Sequence, residues 1–141
     1  MEKIVLSDDS LSNVAGGAGG GGVISSGSFA SNTGTQLNIL VNWSVQGDAY
    51  GQKTLYVDVS ASSYSLYVTG GGVELNVNGM VYAATSPSIQ YGGNSMVVNR
   101  LASFTVPNVS GALNVSAVWH FNGTYSGVSI GDIRAGGTVT A

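Results

Sequence analysis

The sequence predicts an all-β protein, a β-sandwich of jelly-roll type with roughly eight or nine antiparallel strands behind a glycine-rich N-terminal extension. Three observations carry that expectation. Apolar and polar residues alternate with a period of two along residues 37–46 and 113–122, which makes one face of each run apolar. Asn-Gly pairs stand between apolar runs at Asn78-Gly79 and Asn122-Gly123, and both central residues of a tight hairpin turn need positive φ. Glycine-rich breaks recur at residues 70–72, 92–94 and 136–137, and no stretch of the domain reads as a helix.

Taken in chain order, residues 23–29 suit an edge strand. Leu37, Ile39, Val41, Trp43 and Val45 then give a second strand its apolar face. Leu55, Val57 and Val59 mark a third, and Tyr64, Leu66 and Val68 a shorter one with looser patterning. Val73, Leu75 and Val77 lead into the Asn78-Gly79 hairpin. Residues 97–106 read as a strand, and Leu113, Val115, Ala117, Trp119 and Phe121 as another that ends at the Asn122-Gly123 turn. Val128 and Ile130 form a short run, and residues 138–140 close the domain as an edge strand. Pro87 and Pro107 fall at run boundaries, where a missing N–H is tolerated.

Composition narrows the function classes. After Gly17 the charged side chains are Lys53, Arg100 and Arg134 against Asp48, Asp58, Glu74 and Asp132. No basic stripe exists to neutralise phosphates, so nucleic acid is not an expected partner. A polybasic membrane patch is missing too, and no apolar run reaches the roughly 20 residues of a span, so no membrane insertion is expected. A near-neutral polar surface favours association between copies. The chain has no cysteine, which removes disulfides, thiolate metal sites and a cysteine nucleophile.

The N-terminal residues read as an address. Gly16-Gly17 follows Val14 by two positions, Leu11 stands three residues before Val14, and Leu6-Ser7 lies five before Leu11. This pattern resembles the double-glycine leader of peptides exported by ABC transporters that carry a cysteine-peptidase domain. Ser10 departs from it, since the family usually has Glu there. The resemblance covers residues 1–17 and implies such a transporter as partner, recognition through Leu6, Leu11 and Val14, and cleavage after Gly17. It also implies a secreted, extracellular or cell-surface location in a bacterium. The segment lacks the basic and apolar regions of a Sec signal. The same residues also suit an N-terminal arm: Ile4, Val5 and Leu6 form a short apolar run, with a glycine hinge behind it that would let the arm add a strand to a neighbour. The expected organisation is a leader or arm at 1–17, a Gly/Ser-rich linker at 18–27 and a β-sandwich domain at 28–141.

Candidate chemistry is sparse. Gly127-Val128-Ser129-Ile130-Gly131 matches G-x-S-x-G, but a nucleophile elbow needs a strand, a sharp turn and then a helix, and this motif sits in an alternating β run. His120 is the only histidine and is expected to face outward between Trp119 and Phe121. Asp48, Asp58, Glu74 and Asp132 are scattered over different runs, with no spaced calcium loop. No enzyme, cofactor or metal is expected. Trp43 and Trp119 fall on apolar faces and are expected to pack in the core, whereas Tyr56 and Tyr67 alternate with apolar residues and are expected at a ligand or subunit surface.

The first functional expectation is therefore a secreted structural protein. It would assemble with copies of itself into an extracellular fibre or surface layer, with Ile4, Val5, Leu6, Val23 and Ile24 as positions inserted into a neighbour. In organisation alone it resembles jelly-roll subunits with N-terminal extensions that build some bacterial surface fibres. The other expectation is a carbohydrate- or surface-binding module.

Overall fold

Alternating side chains give residues 22–141, those that the computed structural model describes, an all-antiparallel β fold. In chain order the strands are β1 (Gly22–Ala30), β2 (Asn38–Gly47), β3 (Lys53–Ser63), β4 (Leu66–Val68), β5 (Gly72–Val77) and β6 (Met80–Thr85). They continue with β7 (Ile89–Tyr91), β8 (Val97–Pro107), β9 (Ala112–Trp119), β10 (Gly123–Tyr125), β11 (Val128–Ile130) and β12 (Ile133–Thr140). Eight of them build two four-stranded sheets, ordered β1-β2-β3-β8 and β12-β9-β5-β6, while β4-β7 and β10-β11 are separate two-stranded ribbons. The count exceeds the expected eight or nine because β6, β7 and β10 show no clear period in the sequence: β7 and β10 are three residues long, and β6 turns neither face fully inward.

Both large sheets contribute to one hydrophobic cluster. Ile39, Val41, Leu55, Val57 and Val59 come from the first sheet, and Val73, Leu75, Val115, Trp119 and Val139 from the second. Each fully buried side chain of this size contributes roughly 1.5–3 kcal/mol of transfer free energy, so a shared core is what holds two sheets without disulfides. Trp119 is buried as expected. Trp43 packs at the rim of the same cluster, partly buried, with its ring stacked on Phe29 at 6.3 Å between centroids.

The Asn78-Gly79 hairpin forms as read, with φ of 51° and 90° and Val77 paired to Met80. The second expected hairpin is displaced. Asn122 has positive φ, but Gly123 already belongs to β10, and the tight turn sits at Ser126-Gly127 with Tyr125 paired to Val128. Residues 136–137 are a second correction. They lie inside β12, which begins at Ile133 rather than at residue 138. Glycine is needed there for space and not for a turn. A Cβ on Gly136 would run into the Val115 carbonyl oxygen and stand 2.8 Å from the Ser116 Cα, and one on Gly137 would meet the Phe29 ring at 2.5 Å. Residues 22–27, assigned to the linker, form the first part of β1. The leader positions Leu6, Leu11, Val14, Gly16 and Gly17 and the arm positions Ile4 and Val5 lie outside the described residues.

The contact at Gly136 gives a direct test. Because the obstacle is backbone of β9, it yields less readily than a side chain would. Gly136→Ala is expected to lose about 1–3 kcal/mol in urea unfolding, the range of overpacked interiors. Gly131→Ala, whose Cβ would meet nothing closer than 3.7 Å, is expected to unfold at the unchanged midpoint. Equal midpoints for the two variants would refute the close approach.

Candidate functional site

Three surface features stand out, each built by strand pairing. The first is a pair of uncharged sheet edges. β1 ends one sheet and β6 ends the other, and neither has a second strand partner among the described residues. β1 reads GVISSGSFA and β6 reads MVYAAT, with no charged residue and no proline in either. The other two end strands are interrupted by charge: β8 carries Arg100 and Pro107, and β12 carries Arg134. Met80 and Val81 on β6 are 64% and 59% exposed, and Val23 and Ile24 on β1 are exposed too. Val23 is paired with Gln46 of the chain's own β2, and Ile24 occupies a bulge with its side chain over Gly47. β1 therefore completes its own sheet and presents its free edge outward.

The second feature is an ionic cluster that the order of residues in the chain conceals. Pairing of β9 with β5 and with β12 puts Trp119 opposite both Val73 and Ile133. The next residue, His120, donates its backbone N–H to the Gly72 carbonyl and lays its ring over Gly72, where a Cβ would stand 3.2 Å from Cδ2. Its Nδ1 is 2.9 Å from Asp132 Oδ1, and its Nε2 is 3.6 Å from Glu74 Oε1. Asn122 Nδ2 donates to the same Asp132 oxygen at 3.3 Å, and Arg134 lies 3.5 Å from the other. His120 faces outward as expected, but Glu74 and Asp132, read as scattered, converge on it. Among the described residues no group of His, Asp and Glu has an arrangement suited to a metal ion.

The hydrogen bond to Asp132 is the largest cause raising the His120 pKa above the ordinary imidazole value. Desolvation opposes it, while the charges of Asp132 and then Glu74 add to it. The same bond holds the Asp132 carboxyl below its usual range, with the His120 and Arg134 charges and the Asn122 amide assisting. The stabilisation from a charged His120 is fully present below the unfolded imidazole pKa and disappears as pH rises through the raised folded value. That from Asp132 is present above the unfolded carboxylate pKa and disappears as pH falls through the lowered folded value. Both act together in mildly acidic solution. In an NMR titration His120 is expected to show a midpoint above the free imidazole value of about 6.5. Asp132→Asn should lower it, and Glu74→Gln should lower it less. A midpoint that Asp132→Asn leaves in place would contradict this assignment.

The third feature is a cleft of about 340 Å³ between the start of β4 and the β10–β11 hairpin. Tyr64 and Tyr67 stand at it, with Gln36, Thr124 and Ser126 among the polar groups of its wall. Tyr67 is 69% exposed. Tyr56 takes no part; it is half-buried in the middle of β3, paired with Ser44 and Thr105. Tyr64 and Tyr125 were not singled out in the sequence, and the only signal there was the density of tyrosines between residues 56 and 67.

The G-x-S-x-G match spans this hairpin: Gly127 is in the turn and Ser129 in β11, paired with Thr124. A strand follows the motif, not a helix. No protein-family model, no curated protein and no solved structure matches the chain.

Proposed function

We propose that the protein is a structural subunit that assembles with copies of itself into a fibre or layer outside the cell. The observation that carries this reading is the β6 edge: six residues without charge, proline or bulge, with Met80 and Val81 exposed. Soluble proteins usually protect such an edge with lysine, proline or a bulge, because its open N–H and C=O groups invite another strand. The β1 edge, uncharged and regular from Ser25 to Ala30 beyond its bulge at Ile24, belongs to the other sheet, so the β6 edge of one copy meeting the β1 edge of the next is a heterologous contact. Such contacts repeat into filaments unless the rotation closes a ring.

In this reading the two large sheets form a β-sandwich. Their strand order, with β1-β2-β3 and β5-β6 joined as hairpins within a sheet, supports a hairpin-linked sandwich over a jelly roll, where successive strands change sheets. Residues 1–17 serve as the export leader, with an ABC transporter as the partner in secretion, and the bacterial surface or its surroundings as the destination. Val23 and Ile24 act at the free edge of β1; Ile4, Val5 and Leu6 join them in any copy that keeps its N-terminal segment.

Sedimentation velocity over a concentration series tests the reading. The expected result is a shift from monomer to large, heterogeneous species as concentration rises. A single monomer boundary throughout would overturn it.

A further inference from the structure

We infer that the cleft beside Tyr67 binds the ring of a neutral sugar. The walls are fixed before any ligand arrives. The Tyr64 backbone N–H donates to the buried Tyr125 phenol oxygen at 3.0 Å, which ties the chain leaving β3 to the β10–β11 hairpin. Tyr67 reaches across to Gly92, where a Cβ would collide with its phenol oxygen, so the glycine leaves room for the end of the ring against the backbone. Gly93 donates to Ser65 Oγ at 3.3 Å and holds the same corner. Tyr67 thus stays 69% exposed without being loose.

The chemistry of the lining selects the ligand class. The residues at the cleft carry no charge, which gives nothing to balance a phosphate, a carboxylate or a cation. Gln36 offers an amide donor and acceptor, and Thr124 and Ser126 offer hydroxyls that do both. A pyranose presents the complement, an apolar face of C–H groups for an aromatic ring and a rim of hydroxyls for amide and hydroxyl partners. The volume, about 340 Å³, falls at the small end of the range of roughly 300–1,000 Å³ for small-molecule sites. A site for one or two rings fits those dimensions. The cleft is distinct from the β1 and β6 edges, so its occupancy does not depend on assembly.

Isothermal titration of the full chain with cellobiose, maltose, lactose and diacetylchitobiose tests the inference. At least one disaccharide is expected to bind saturably. Tyr67→Ala should then weaken it by about three- to tenfold, the share of one aromatic contact, while Tyr67→Phe, which keeps the ring, holds affinity within about twofold. Tyr50→Ala, 91% exposed and not at the cleft, should leave binding unchanged. The matching tetrasaccharide separates two sources: tighter binding marks a polysaccharide chain, and equal binding a free sugar. Absence of heat with every sugar, or equal affinity in Tyr67→Ala and the unmodified chain, would overturn the assignment.

Discussion

A Val81→Lys variant is expected to remain a folded monomer at concentrations where the unmodified chain assembles. Val81 lies on β6 opposite Asn76, and its side chain is 59% exposed, so a lysine there replaces little buried surface. An exposed substitution of this kind changes stability by about 0.5 kcal/mol or less. Its effect on association is much larger. An added strand would bring a neighbour's backbone alongside the ammonium group, and the charge must then be desolvated or repel its own copies. Val23→Lys on β1 is expected to act in the same way. The two variants together separate one geometry from another. A heterologous contact predicts that each variant alone is monomeric, and that an equimolar mixture gives dimers through the one intact pair of edges. If β6 instead paired with β6, Val23→Lys would dimerise alone. Sedimentation of the three samples decides, and assembly of Val81→Lys equal to that of the unmodified chain would remove β6 from the account.

The second large effect is in the core. Trp119 is 1% exposed, opposite Val73 on one side and Ile133 on the other, with Phe121 tilted against it at 5.1 Å between ring centroids. Trp119→Ala removes the largest buried side chain at the point where β5, β9 and β12 meet. The expected loss is about 3–5 kcal/mol, because the strands around it are held by their ladders and cannot collapse into the void. Against a total stability of roughly 5–15 kcal/mol, that leaves a marginal or unfolded domain. Trp43→Ala provides the comparison, because that ring is only partly buried at the rim and its loss costs less. Urea unfolding followed by far-UV circular dichroism measures both. A loss below about 1 kcal/mol for Trp119→Ala would mean that this residue does not anchor the second sheet.

The strands legible in the sequence are those with one apolar and one polar face. Residues 113–119 alternate because one side meets the core and the other meets water, whereas residues 38–46 alternate because their second face, though covered at Ser44 and Gln46, is built mainly of polar side chains. Glycine misled the reading in β12: a pair of glycines signals a turn to local reasoning, but Gly136 and Gly137 answer to the crowding of β9 and Phe29, which no window on the sequence contains. The turn at Ser126-Gly127 was missed because Asn122-Gly123 offered a stronger local signal nearby, and only Asn122 took positive φ. Sheet order was not legible at all, and with it went the ionic cluster. Glu74, His120 and Asp132 meet only because β5 and β12 both flank β9. The neutral edges were half legible. The lack of charge in residues 22–30 and 80–85 was visible, whereas their position at the ends of two different sheets was not.

The central claim is that copies join through the free edges of β1 and β6. Hydrogen exchange of the concentrated protein against the same protein at dilution measures those backbone groups directly. The account predicts slower exchange on concentration in Gly22–Ala30 and Met80–Thr85, with the core strands β3 and β9 unchanged. Equal exchange at both edges under conditions where large species have formed would contradict it.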